Sequence, residues 1–186
     1  DPSHVLFLNN YADSMTFFIY FIPFAIKTGP GSYNSRQTPL DSNVYVLFNA
    51  ITSGNTGGAL YCTSNYLLIE SSSFFSCKSS SSAGGAIYFY NTGSGECALH
   101  GVCGYNCNTP SGYEGQFAWM YISNVISSKN YINYSSISRC VNENSGTYKT
   151  IRHHNGKICC QSTNVSMNKC YYRSGIYCCP STDSNS

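Results

Sequence analysis

One short motif recurs along this chain at nearly constant spacing, and that recurrence restricts its fold more than any other feature. Gly57-Gly58-Ala59-Leu60-Tyr61-Cys62 returns 27 residues on as Gly84-Gly85-Ala86-Ile87-Tyr88-Phe89. Fainter echoes stand at Glu114-Gly115-Gln116-Phe117-Ala118-Trp119, Ser145-Gly146-Thr147-Tyr148 and Ser174-Gly175-Ile176-Tyr177-Cys178. A second marker keeps step with the first: Phe74-Phe75-Ser76-Cys77, Gly104-Tyr105-Asn106-Cys107, Ile137-Ser138-Arg139-Cys140 and Met167-Asn168-Lys169-Cys170. Its cysteines lie 30, 33 and 30 residues apart. Phe48-Asn49-Ala50-Ile51 sits where an earlier unit ends, with Ile51 in the cysteine slot. Two markers in one phase outline four to five units of about 30 residues, the period of a stacked repeat architecture.

Each unit reads as strands. Leu60/Cys62, Ile87/Phe89, Phe117/Trp119 and Ile176/Cys178 alternate with Tyr61, Tyr88, Ala118 and Tyr177, a period of two. A second strand is predicted before each marker cysteine, over 67–75, 98–105, 131–138 and 163–168, with Ser-, Asn- and Gly-rich turns between. No convincing helical period runs through the chain. A strand–turn–strand unit cannot bury its apolar face alone, but stacked coil on coil it can. The expected fold is therefore all-β: a parallel β-helix of about four to five rungs over residues 44–180, an N-terminal β cap over 1–43 and a polar tail over 181–186. The cap holds the apolar run 15–26 (MTFFIYFIPFAI). Twelve residues broken by Pro23 are too short to cross a bilayer as a helix, so the run reads as a buried β segment and no membrane span is expected.

Composition fits a stack of this kind. Only 10% of the 186 residues are charged, with ten Lys and Arg against eight Asp and Glu. An ordinary globular chain carries about 25%. Like charges repeated every ~4.8 Å along a stack repel one another. The near-neutral balance excludes an electrostatic nucleic-acid binder, and 17 Tyr with 10 Phe argue against disorder.

The Gly-Gly-Ala-[Ile/Leu] start at Gly57 and Gly84 and the Phe74-x-x-Cys77 ending resemble the repeats of polymorphic membrane proteins. The bacterial form of those repeats reads G-G-A-[ILV] and F-x-x-N; a form with Cys in the last position occurs in surface proteins of some protists. The resemblance covers about residues 44–180 and weakens in the later units, which lose the paired glycines. It implies a right-handed, pectin lyase-like β-helix displayed at a cell surface, serving adhesion or surface coating. The repeat turn glycines it marks are Gly57, Gly58, Gly84, Gly85, Gly115, Gly146 and Gly175.

Eleven cysteines, several adjacent, favour an extracellular or cell-surface location. The sequons at Asn133 and Asn164 agree, as candidate glycosylation sites. In a stacked coil Cys77, Cys107, Cys140 and Cys170 are close enough to pair between rungs, or to stand as a column of buried thiols. Cys62, Cys97, Cys103, Cys159, Cys160, Cys178 and Cys179 are further disulfide candidates. In the adjacent pairs Cys159-Cys160 and Cys178-Cys179, one side chain of each points inward and one outward if the segment is a strand. An odd total leaves at least one thiol free or paired elsewhere. His153-His154 near Cys159-Cys160 fits no standard zinc spacing, so no metal and no other cofactor is expected.

Pectin lyase-like β-helices include polysaccharide-degrading enzymes, which makes catalysis the rival reading. A glycosidase needs two facing carboxyl groups. Asp1, Asp13, Asp41, Glu70, Glu96, Glu114, Glu143 and Asp183 form no close pair in sequence. Glu70 shares a repeat column with His100, Asn133 and Thr163 when counted back from the marker cysteines, a single acid in the column. The expectation is a non-enzymatic surface protein whose partner is a protein or glycan, with Tyr61, Tyr88 and Tyr177 forming an outward aromatic stripe. The alternative is a subunit that assembles head-to-tail with copies of itself through open β-helix ends.

Overall fold

The computed structural model describes residues 52–54, 56–63, 65–93, 95–140 and 148–181, and before them the backbone of four strands: β1 (His4–Asn9), β2 (Phe17–Phe21), β3 (Phe24–Thr28) and β4 (Val44–Asn49). The later strands are β5 (Thr52–Ser53), β6 (Leu60–Cys62), β7 (Tyr66–Glu70), β8 (Ser73–Phe75), β9 (Lys78–Ser79), β10 (Ile87–Tyr90), β11 (Glu96–His100) and β12 (Cys103–Tyr105). They continue with β13 (Ala118–Tyr121), β14 (Lys129–Asn133), β15 (Ser136–Ser138), β16 (Ile151–His154), β17 (Lys157–Gln161), β18 (Asn164–Ser166) and β19 (Ile176–Cys179). No helix occurs among the described residues.

Three parallel sheets carry the stack. Sheet I runs β6-β10-β13-β16-β19, sheet II β7-β11-β14-β17 and sheet III β1-β4-β8-β12-β15-β18. The chain visits I, II and III in turn and then steps to the next layer, which is a parallel β-helix of about four turns. The first strand, β1, lies beside β4 in register His4↔Val44, so the segment before residue 44 contributes a strand to sheet III. Across the apolar run, β2 and β3 form an antiparallel hairpin closing at Phe21↔Phe24.

Each turn holds three main strands where the sequence indicated two. The stretch read as one strand over 67–75 bends at Ser71 between β7 and β8, and Gly101, Tyr134 and Ser162 bend the later copies at equivalent places. All four have positive φ, between 44° and 63°. Only one is glycine, so residue type alone does not mark this corner.

The glycine pair has two separate duties. Gly84 has φ +72, a left-handed conformation that costs an L side chain about 1–2 kcal/mol. Gly85 lies against the next layer, where a Cβ would meet the Gln116 carbonyl oxygen at 2.0 Å. Gly115 keeps the first duty at φ +72. In the following turns the left-handed corner falls to Lys149 (φ 58) and Arg173 (φ 61). Gly175, one of the predicted turn glycines, has no positive φ and open space around it. Gly146 lies outside the described residues.

Register also moves two other readings. Ile87 pairs with Ala118 and Tyr88 with Trp119, so Ala118 faces the core and Trp119 faces outward, opposite to the expected phase. In sheet III, Ser138 pairs with Ser166, which sets Asn168 opposite Cys140. The fourth marker is therefore Val165-Ser166-Met167-Asn168, and Cys170 lies two residues beyond the slot. Ser76, Asn106, Arg139 and Met167, each one residue before the slot, share positive φ of 51–55°.

Inside the coil, Phe74, Phe89, Phe117, Ile87, Leu99, Met120, Ile132, Ile137 and Ile151 are fully buried. The Phe74 and Phe117 rings meet edge to face at 5.9 Å. Gly104 leaves the room that Phe117 fills, since a Cβ there would stand 2.4 Å from its ring.

Candidate functional site

Sheet I presents the most organised outward surface. Its strands alternate buried and half-exposed residues, and the register aligns the outward ones rung on rung: Tyr61, Tyr88, Trp119, Arg152, Tyr177. Tyr61 and Tyr88 stack at 5.4 Å, Tyr88 and Trp119 at 4.5 Å and 5°. The Arg152 guanidinium lies 5.5 Å from the Trp119 ring centroid. A second column runs alongside: Tyr90 and Tyr121 stack at 5.1 Å, and His154 meets Tyr121 edge-on at 5.0 Å. The predicted stripe of Tyr61, Tyr88 and Tyr177 is thus the ends and one interior rung of a longer ladder.

Charge is concentrated at one end of this ladder. Glu114 forms ion pairs with both Lys149 and Arg152. Lys149 Nζ also lies 4.3 Å from the Tyr177 centroid, with the Arg173 guanidinium 4.6 Å from the same ring. Burial lowers the Lys149 and Arg152 pKa values from their ordinary ranges. Burial, and then Tyr61 and Tyr90 beside it, push the Tyr88 phenol up to about 12. The ladder is therefore uncharged on its Tyr-rich half and cationic beyond Trp119. Ring faces are spent on one another within the stack, and ring edges are what the surface offers.

The described acids are dispersed. Glu96 pairs with Lys129 at 2.7 Å, and Glu114 is committed as above. Glu70 lies opposite His100, at the other end of strand β11 from Glu96. That column reads Glu70, His100, Asn133, Gln161; Thr163, the expected fourth member, is two residues further on. The shift matches the one at Cys170, because the last turn is 28 residues long rather than 30 along sheets II and III. Asp1, Asp13, Asp41, Glu143 and Asp183 lie outside the described residues.

None of the eleven cysteines is joined in a disulfide. Cys77, Cys107 and Cys140 occupy the ladder slot and are fully buried. The Cys107 thiol donates to the Phe74 carbonyl at 3.5 Å. Cys62 and Cys97 are buried as well, with Cys97 Sγ 3.6 Å from Met120 Sδ, and burial pushes the Cys97 thiol up. These five act as small apolar core residues. Cys103 is exposed on sheet III, and Cys170 lies 3.6 Å from Thr150 Oγ1. Cys160 stands in register with buried Ile132, and Cys178 with buried His153; their neighbours Cys159 and Cys179 occupy the alternate, outward positions.

His153 was singled out by its sequence neighbours and turns out to be a core residue. Its Nδ1 lies 2.7 Å from Asn130 Oδ1, while Nε2 is buried without a partner. Burial lowers its pKa to about 3. No group of three or more His, Cys, Asp or Glu side chains among the described residues is placed to hold a metal. Of the sequons, Asn164 is exposed, and Asn133 Oδ1 accepts the Gln161 N–H at 3.1 Å. No helix among the described residues is long and apolar enough to cross a membrane. No known protein family, curated protein or solved structure matches the chain.

Proposed function

We propose that the protein is a non-enzymatic, extracellular adhesion module whose sheet I face docks a protein at a cell surface. The observation that carries this reading is the in-register ladder Tyr61–Tyr88–Trp119–Arg152–Tyr177. Tyr, Trp and Arg are the residues that dominate protein–protein hot spots. Stacking has already removed much of their side-chain freedom, so little ordering cost is left for binding. A glycan ligand typically packs on open aromatic faces, and here those faces are covered. The sequons at Asn133 and Asn164 support the extracellular location, and the resemblance to polymorphic membrane protein repeats points the same way. No pair of described carboxyl groups faces one another, which favours binding over glycoside hydrolysis.

The test is binding of the labelled chain to intact cells. Protease treatment of the cells abolishes binding and glycosidase treatment leaves it unchanged. Trp119→Ala weakens it at least about tenfold, the behaviour of a hot-spot residue. Glycosidase-sensitive binding, or a Trp119→Ala variant that binds like wild type, overturns the reading.

End-to-end assembly is a second reading with its own observation. The outermost described strands β17, β18 and β19 leave one edge unpaired, and Met167 and Tyr171 beside them are 72% and 70% exposed. Concentration-dependent oligomers in sedimentation, without any receptor, are its signature.

A further inference from the structure

We propose that Cys160 and Cys178 form a dithiol–disulfide pair, oxidised by a low-molecular-weight disulfide, that clasps sheets I and II together at the last described turn. Cys160 belongs to β17 and follows the interior column of Leu99 and Ile132. Cys178 belongs to β19 and follows the interior column of Met120 and His153. Both therefore point into the coil from different sheets, and their thiols hydrogen-bond to each other. In earlier turns residues of these columns are fully buried. Here β17 and β19 are the outermost described strands, and both cysteines are exposed, within reach of a soluble oxidant. The buried thiols at Cys62, Cys77, Cys97, Cys107 and Cys140 lack that access. Cys159 and Cys179 face outward, and Cys159 donates to Asn133 Oδ1 at 3.6 Å.

The hydrogen bond from Cys160 holds the Cys178 thiol down, to about 7, and raises that of Cys160. A thiol with a pKa near ambient pH is the better attacking group. Cys178 thiolate attacks one sulfur of glutathione disulfide, forming a mixed disulfide and expelling one glutathione thiolate. Cys160 then loses its proton to solvent and attacks the Cys178 sulfur, expelling the second glutathione. The protein gives up two electrons and two protons, and the oxidant is reduced to two thiols.

The full chain is incubated with glutathione disulfide at neutral pH, weighed, then alkylated and weighed again. Weighed before alkylation, its mass falls by about 2 Da, two hydrogens, and two fewer cysteines then alkylate. Trypsin cuts after Lys157, Lys169 and Arg173, so the bond joins the peptide holding Cys159 and Cys160 to the one holding Cys178 and Cys179. Cys159→Ser and Cys179→Ser keep that linked peptide, whereas Cys178→Ser loses it and Cys160→Ser stalls at the mixed disulfide. A bond elsewhere in the wild-type map, or eleven thiols still free after treatment, overturns the proposal without needing any variant to fold.

Discussion

The turns that begin at Gly57 and Gly84 and those that begin at Lys149 and Arg173 share a backbone and little else. In the early turns the first glycine of a pair makes the corner, and the inward residues of sheets I and II are apolar: Leu60, Cys62, Ile87, Phe89, Leu99. In the late turns charged residues make the same corner with positive φ, and His153 sits in the core against Asn130 of the preceding turn, with Cys160 and Cys178 on inward columns. The difference shows that the invariant of this fold is a set of left-handed corners in register, not a side-chain motif. A non-glycine at such a corner costs about 1–2 kcal/mol. The cost is offset where the residue finds a partner. Lys149 pairs with Glu114, and Asn155, another left-handed residue, donates to the Ile122 carbonyl at 3.0 Å.

The largest loss is expected where the turn that begins at Gly115 packs onto the early core. Phe117→Ala empties space shared with Phe74 and above Gly104, at a cost of about 4 kcal/mol. Chemical denaturation measures it. A cost below about 1 kcal/mol means that the early turns are no better packed than the late ones. Next come two glycines that look alike in sequence. Gly85→Ala drives a Cβ into the Gln116 carbonyl and costs about 3 kcal/mol, while Gly175→Ala changes stability by less than about 0.5 kcal/mol. Equal effects at both positions erase the distinction between the two regions.

How much was legible in the sequence divides along the same line. The alternation at Leu60-Tyr61-Cys62 and Ile87-Tyr88-Phe89 revealed sheet I, and the spacing of Cys77, Cys107 and Cys140 revealed the stack. Both signals are direct, since glycine and apolar alternation answer to steric demands of the rung itself. Letters alone set the third unit one residue out of phase because Phe117 looks like a strand residue, whereas it packs from the corner just before β13. The last unit falls two residues out because Cys170 imitates a marker whose slot belongs to Asn168. Asn168 fills that slot by hydrogen bonding, accepting from Cys140 N at 2.8 Å and donating to the Ile137 carbonyl at 3.0 Å. Equivalence by hydrogen bond rather than by residue type is invisible to a search for repeated letters. Trp119 entered the ladder only once register was known.

A pH scan probes the polar late core. The pKa of His153 in the fold is about 3, against an ordinary value of about 6.5. Between those values the unfolded chain binds a proton that the folded chain excludes. Stability therefore holds above pH ~6.5 and falls as pH drops towards 3, by up to about 1.4 kcal/mol per unit. Asn130 and Met120, which face it, do not titrate, and Cys178, held at about 7, is almost wholly neutral over the lower part of that window. His153→Met, matching Met120 one rung away, removes this slope while leaving neutral-pH stability nearly unchanged. An acid slope that survives the substitution assigns the effect elsewhere.

The smallest effect sits at the corner before the last marker. Met167 holds φ 55 while 72% exposed, and the equivalent residue two turns earlier is Asn106, at the same φ. Asparagine tolerates the left-handed region because its short polar side chain bonds locally; Asn106 Nδ2 donates to Ser76 Oγ at 3.0 Å. Arg139, one rung away from Met167, offers that asparagine no hydroxyl, so only the backbone part of the gain is available. Met167→Asn is expected to stabilise by about 0.5 kcal/mol. A matching Asn106→Met is expected to destabilise by more, since it loses both the backbone preference and the bond to Ser76. If the two substitutions prove equal and opposite, the corner's conformation alone sets the balance and side-chain pairing between rungs adds nothing at this position.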